Sequence, residues 1–294
     1  MVMQGMELLY RPKDNTKEGG MDYVNACGYM GEPSDSLDVM FMGSSLFFSG
    51  VMPLQLWGTS GITSYDVATG SQWADQTDRY VRNMLKTHHP KLVVLDAYAL
   101  TEEINLDESI YYEWVRFFPL LYDHENWKRL APQQLLAPVH YTHTEELKGF
   151  LPRTRTKAVN LEGYMAPTEE TWHLPLLNRF YIDRICRMCH SAGAEVLILA
   201  IPSPDNWDYP LHNAMEEYTR KKGIDFLDMA LLVDELQLDG STDFRDGGNH
   251  VNTKGAIKLS VYLAHYLQEH YQLDDHRDDP AYAQWAEDWA NNPQ

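Results

Sequence analysis

Five short apolar runs punctuate this chain of 294 residues: Asp38 to Met42, Gly61 to Val67, Leu92 to Leu95, Val196 to Ile201 and Ile224 to Leu227. Strands buried on both faces read as near-continuous apolar runs, and such burial is the habit of parallel sheets. Between the runs, apolar residues recur at three- and four-residue spacing, the period of a helix with one buried face. Gln72 to His88 carries Trp73, Tyr80, Val81, Met84 and Leu85 and stops before Pro90. Further helical patterns run from Pro175 to His190, from Leu211 to Lys222 and from Gly255 to Tyr271, with glycine stops at Gly193 and Gly223. Val51 to Trp57 reads as a short helix or turn. Strand, helix and strand in alternation predict an α/β three-layer sandwich with a five-stranded parallel sheet in the flavodoxin-like order.

The alternation lapses between residues 97 and 175, where the aromatic clusters Tyr111-Tyr112-Glu113-Trp114 and Phe117-Phe118-Pro119 stand. This reads as a mostly helical insertion followed by an irregular stretch through Tyr164. Leaving the end of a parallel strand, it is expected to form a wall or lid over the C-terminal edge of the sheet. Its aromatics either face sugar rings or pack a small core of their own. Residues 1–37 form a lead-in segment held by Tyr23, Tyr29 and Met30, residues 38–273 the α/β domain with its insertion, and residues 274–294 an acidic tail docked by Tyr282, Trp285 and Trp289.

Charge narrows the partners. With 43 acidic against 24 basic residues the net charge is −19, which repels nucleic-acid backbones and anionic lipid surfaces. No apolar run approaches the ~18 residues of a membrane span, and Met1 to Met6 lacks the make-up of a signal peptide. Read alone, the chain suits the cytoplasm, or a protein whose N-terminal export segment has been removed.

Three cysteines are too few for a disulfide scaffold. Cys186-Arg187-Met188-Cys189-His190 has the spacing of a c-type haem attachment site, but it lies on a helical stripe with Leu177, Ile182 and Ile185. The cysteines are read as small buried side chains, with neither haem nor a redox pair. His140 and His143, like His88 and His89, lack a third ligand and are read as surface residues; no metal and no cofactor are expected.

The first apolar run stops abruptly at Gly43-Ser44-Ser45, where open α/β sheets place their ligand sites. Far along the chain, Asp243-Phe244-Arg245-Asp246-Gly247-Gly248-Asn249-His250 precedes the last helix. An acid and a histidine in a loop held by a helix can present an imidazole and orient it through the carboxylate. A serine closing the first strand, a glycine after the second and this Asp/His pair resemble the SGNH (GDSL-type) hydrolase superfamily. More narrowly, Gly43-Ser44-Ser45 with Pro53 and Trp57, Gly61 to Tyr65, and His250-Val251-Asn252 with Gly255-Ala256 are similar to bacterial surface proteins of the D-alanyl-lipoteichoic acid and polysaccharide O-acetylation kind. The resemblance spans residues 36 to 272.

The resemblance implies Ser45 as nucleophile, His250 as general base, and the backbone N–H groups of Ser45 and Gly70 as an oxyanion hole. It also implies a place outside the cytoplasmic membrane, usually with an N-terminal anchor. Ser44 stands where many relatives carry aspartate. Two departures are visible. The position three before the histidine, where relatives place the acid, is Gly247, which leaves Asp246 as the triad acid and Asp243 in reserve. The usual Gly-x-Asn-Asp after the third strand is replaced by Asp96-Ala97-Tyr98-Ala99, so either another group such as Gln72 or Tyr98 stands in as the third oxyanion donor or the enzyme is slow. The function implied is a serine esterase or acyltransferase acting, through an acyl-enzyme, on acyl groups of sugars or polyols, its acyl donor in one version being a membrane partner. The missing asparagine and the shifted aspartate motivate a rival, a binding or assembly protein that keeps the fold without turnover.

Overall fold

A computed structural model describes residues 9–123, 126, 128 and 130–292; the Met1 to Met6 run lies outside them. All five apolar runs are strands: β1 (Val39–Gly43), β2 (Ser64–Ala68), β3 (Leu92–Asp96), β4 (Glu195–Ala200) and β5 (Asp225–Asp228). Every pairing is parallel and the order is β2-β1-β3-β4-β5, the flavodoxin-like order. Every residue of β1, β2 and β3 is buried.

The two-residue period of the strands splits the core into two layers. Met40, Met42, Val93, Leu95 and Ile198 pack with the helices Ala74–Met84 and Leu176–Ser191. Val39, Phe41, Val94 and Leu197 pack with the helix Thr253–His270 on the other face. Because β1 has β2 on one side and β3 on the other, the chain reverses its winding at β1. A crevice therefore opens at the C-terminal end of that strand.

Local chemistry explains where elements begin later or earlier than the periodicity predicts. The second strand starts at Ser64 rather than Gly61 because Gly61, at φ 74°, caps the C-terminus of the helix Pro53–Ser60. Val51 to Trp57 splits between that helix, with proline in its first turn, and the helix Ser45–Gly50.

The insertion is helical first, as Ala97–Thr101, Leu106–Phe117 and Leu120–Asp123, and residues 131 to 175 then form turns and extended chain. The helix Leu106–Phe117 buries Ser109 and Val115 but exposes Leu106, Trp114 and Phe117, so these aromatics do not close a core of their own. The extended part is a strap along the C-terminal edge. Lys148 O accepts from Asp66 N on the open side of β2 (2.9 Å), Leu151 N donates to Phe48 O (2.8 Å), and Lys157 N donates to Phe244 O (3.0 Å).

Tyr29 is fully buried in the lead-in, whereas Tyr23, expected to help hold it, is largely exposed. His88, expected at the surface, is buried edge-on against Tyr29. Cys186 and Cys189 are buried on the inner face of their helix, and burial pushes the Cys186 thiol up to about 12. The tail forms the helix Ala283–Asn291, whose Trp285 is buried 5.4 Å from Trp57, ring centroid to centroid.

One buried cation ties three of these segments together. Lys148 Nζ, from the strap, lies 3.0 Å from Glu32 Oε1 of the lead-in and 2.8 Å from Asp288 Oδ2 of the tail, over the Trp285 ring. Removing one partner of a buried ion pair strands the other charge. Lys148→Ala is expected to destabilise the fold by about 3–5 kcal/mol, measured by urea unfolding; a loss near zero would show that the three segments dock independently of it.

Candidate active site

The site begins with a close approach of two strand ends. A Cβ on Gly43 would lie 2.2 Å from Asp96 Cβ, so only glycine lets the termini of β1 and β3 meet here. Asp96 Oδ2 then accepts from Ser44 N (2.9 Å) and Ser44 Oγ (2.5 Å). Ser44 is in turn the N-cap of the helix Ser45–Gly50, accepting from Leu46 N. Ser45 thus starts a helix on a loop clamped at both sides. Burial pushes the Asp96 carboxyl up to about 6, against hydrogen bonds from Ser44, Ala99 and Tyr98 that favour its charged form. In the sequence Asp96 stands out only as the residue where an oxyanion motif is absent; its buried position at a strand end is the signal of a holding role.

The second half comes from the loop before the helix Thr253–His270. Phe244 and Val251 form an antiparallel bridge, Arg245 N donates to His250 O (3.1 Å), and Asn252 N donates to Asp243 O (2.8 Å). Asn252 caps the helix through Lys254 N and Gly255 N. The turn of this hairpin passes through Gly247 (φ 90°) and Gly248 (φ 131°), conformations that favour glycine. These two residues absorb the extra position between Asp246 and His250. The loop after β4 holds the turn from outside, with Ser203 Oγ donating to Asn249 O (2.6 Å) and Asp205 N to Gly248 O (3.1 Å).

The halves meet. Ser45 Oγ lies 2.7 Å from His250 Nε2, and His250 Nδ1 lies 2.7 Å from Asp246 Oδ2. Asp246 Oδ1 also accepts from the backbone N of His250 (2.8 Å), fixing the carboxylate against the ring. Burial lowers the His250 pKa from the ordinary histidine value; the Asp246 hydrogen bond opposes this, and the charges of Arg245 and Arg153 add to it. Burial would raise Asp246, but its bonds to His250 outweigh that and hold it below the usual carboxylate range. With Asp246 accepting at Nδ1, the unprotonated Nε2 faces Ser45 Oγ, the arrangement of a general base before a hydroxyl.

Asp243, the reserve acid, is elsewhere. It accepts from Lys258 Nζ (2.7 Å), Asp239 N (2.8 Å) and Thr242 Oγ1 (2.9 Å), and so holds the base of the hairpin. Gln72 does not reach toward the serine either. Its amide is buried, donating to Val67 O (3.2 Å) and accepting from Thr69 Oγ1 (3.2 Å), because the turn leaving β2 needs those groups satisfied. Tyr98 packs its ring edge-on against Trp73, and its phenol, beside Glu102, is pushed up to about 12 chiefly by burial.

Thr69 N donates to Gly43 O (3.1 Å), which brings the Gly70 turn alongside the serine loop. Among the described residues, neither the Ser45 nor the Gly70 backbone N–H donates to a protein acceptor. A Cβ on Gly70 would meet nothing within 4 Å. From Gly70 and Ser71 a cleft of about 1250 Å³ runs along the helix Ala74–Met84, walled by Trp73, Tyr112 and Tyr122. Among the described residues, no cluster of His, Cys, Asp and Glu is set to hold a metal ion.

A scan of the sequence against protein-family models finds no match, and a search of curated proteins finds none. Solved structures with a similar fold include a GDSL-like lipase from Bacteroides thetaiotaomicron, with 12% identity and a TM-score of 0.44, covering 84% of this chain and 98% of that one. A lipase/acylhydrolase from Enterococcus faecalis has 8% identity and a TM-score of 0.44, covering 81% of this chain and 98% of that one. The first is described as GDSL-like, the type that the sequence motifs resemble, and neither bears on the narrower surface-associated group. At such identities and scores it is the geometry of the site that has to support a functional reading.

If Asp246 is what sustains the basicity of His250 against burial, its loss must lower the pKa further. Asp246→Asn is expected to shift the His250 titration, followed by NMR of the ring protons, to lower pH, and Asp243→Asn to leave it in place. An upward shift in the first variant would assign the electrostatic control to another group.

Proposed function

We propose that the chain is a serine esterase or acyltransferase that works through an acyl-enzyme on O-acyl groups of carbohydrates or polyols. The observation that supports this most is the continuous run of two 2.7 Å contacts from Ser45 Oγ through His250 to Asp246. In this reading Ser45 Oγ attacks the ester carbonyl carbon while Nε2 of His250 takes its proton. The carbonyl oxygen becomes an oxyanion, for which the free N–H groups of Ser45 and Gly70 are the candidate donors. Collapse of the tetrahedral intermediate expels the alcohol, which receives its proton from His250, and leaves Ser45 acylated. Water, or a second hydroxyl, then attacks the acyl carbon with His250 again as base. Asp246 keeps the imidazole in the right tautomer and stabilises it when charged.

The carbohydrate part of the proposal is supported by the aromatic walls of the cleft that opens at Gly70. A setting outside the cytoplasmic membrane and a membrane acyl donor belong to it only through the family resemblance. A second reading, a binding protein without turnover, draws on the inward-turned Gln72 amide, which is not placed to serve as a third oxyanion donor. Loss of one such donor costs about 2.7–4 kcal/mol of barrier where it has been removed.

A fluorophosphonate probe separates the two readings. Labelling is expected on Ser45, absent in Ser45→Ala and at least ~100-fold slower in His250→Ala; a wild-type protein that does not label supports the binder. The pH dependence follows from the base. His250 must be neutral to accept the proton, so kcat/KM for an aryl ester should fall as pH drops through a pKa below the ordinary 6.5. A midpoint well above that value would remove His250 from the role.

A further inference from the structure

A surface helix of an α/β domain ordinarily turns its apolar stripe inward. The helix Leu106–Phe117 does the reverse. Toward the domain it presents polar groups, with Ser109 Oγ 2.6 Å from Tyr181 Oη and Glu113 Oε1 2.6 Å from Arg184 Nη2, and it also buries Val115. Toward solvent it presents Leu106, Ile110, Trp114 and Phe117, spaced at three and four residues so that they share one face. Phe117 is 69% exposed, Leu106 62% and Trp114 57%. Phe118 stacks on Trp114, with ring centroids 5.9 Å apart, and Tyr111 Oη donates to Leu121 O (3.1 Å), which ties the next short helix back to this one. Contiguous apolar surface left open between polar groups is the mark of a docking site.

Charge and size decide what fits it. At the N-terminal end of the stripe Glu103 and Asp107 are exposed and make no ion pair among the described residues. Capping of the helix does not account for them, since Asn105 Oδ1 already accepts from Asp107 N and Glu103 lies before the cap. A second copy of this chain would bring the same carboxylates and another net charge of −19 to the contact, and an anionic lipid surface is repelled in the same way. The twelve residues make a seat about 18 Å long and roughly 10 Å wide. That is the span of about three turns of one helix, and well short of the roughly 800 Å² per side that a stable protein dimer buries.

We propose that this outer face docks a cationic amphipathic helix of another protein, with apolar residues at three- and four-residue spacing and Lys or Arg along its edges. Its apolar stripe packs on Leu106, Ile110, Trp114 and Phe117, and its charges pair with Glu103 and Asp107. Trp114 is the anchor, because a large aromatic already stacked on a neighbour gives up little freedom when it is covered. The same helix gives Tyr112 and Val115 to the wall of the cleft that opens at Gly70, so the partner sits on the outside of that wall. The docking does not depend on the chemistry at Ser45.

Calorimetric titration of the full chain with three peptides of about 18 residues tests this: a Leu/Lys peptide with leucines at helical spacing, its sequence-scrambled isomer, and a Leu/Glu peptide of the first pattern. The patterned Leu/Lys peptide is expected to bind about tenfold or more tightly than either control, and circular dichroism to show it gaining helix as it binds. The scrambled isomer carries the same charge, so a difference from it excludes simple attraction to a chain of net charge −19. Trp114→Ser/Phe117→Ser should lower the affinity about tenfold or more, and Glu103→Gln/Asp107→Asn should lower it less and flatten its dependence on salt. All four side chains are exposed, and thermal unfolding checks that both variants fold. Equal binding of the patterned and scrambled peptides, or an affinity unchanged in the Trp114/Phe117 variant, overturns the proposal. So does sedimentation showing the wild-type chain alone to be a dimer that this variant dissolves, or flotation of the wild type but not the variant with phosphatidylcholine vesicles. The face would then belong to a second copy or to lipid.

Discussion

Everything at this site depends on a carboxylate held between two strand ends. Asp96 is fully buried, it approaches β1 only because Gly43 has no side chain, and it takes both the backbone and the hydroxyl hydrogen bonds of Ser44. The residue next along begins a helix of six residues, far too short to hold a position by its own propensity. Its placement comes from the clamp behind it. The sheet transmits its rigidity through that clamp to a single hydroxyl, and under the proposed function a nucleophile on such an anchor would lose little freedom when a substrate arrives.

The histidine is held by different means. Its hairpin is fastened by backbone bonds across Arg245 and His250, by the Asn252 cap and by the loop after β4. Burial and two nearby guanidinium groups depress the histidine, and one carboxylate resists them. The balance keeps the imidazole neutral near pH 7, which is the state that can accept a proton from a serine. Arg245 serves on both sides, since it also lies 3.4 Å from the Asp246 carboxylate that steadies the ring.

Much of the fold was legible in the residues because its sheet is buried on both faces, and a run such as Leu92-Val93-Val94-Leu95 has no other comfortable place in a globular chain. The strap was not legible, since residues 131 to 175 follow no period and are held by backbone bonds to distant segments such as Asp66 and Phe244. At the site, a serine closing a strand and a histidine before a helix say little singly, and their order along the chain and the family resemblance are what join them. Gln72 was misjudged because a polar loop residue reads the same whether it faces a ligand or satisfies its own turn.

Ser45 and His250 are separated by 205 positions, so the short contact between them joins the first strand of the sheet to the last helix of the domain. A chain emerging from the ribosome can complete β1 through β5 and still lack His250, the base of the proposed function. Reactivity at Ser45 would then switch on only after the C-terminal hairpin has docked, which makes a reagent for that serine a reporter of the final step of folding.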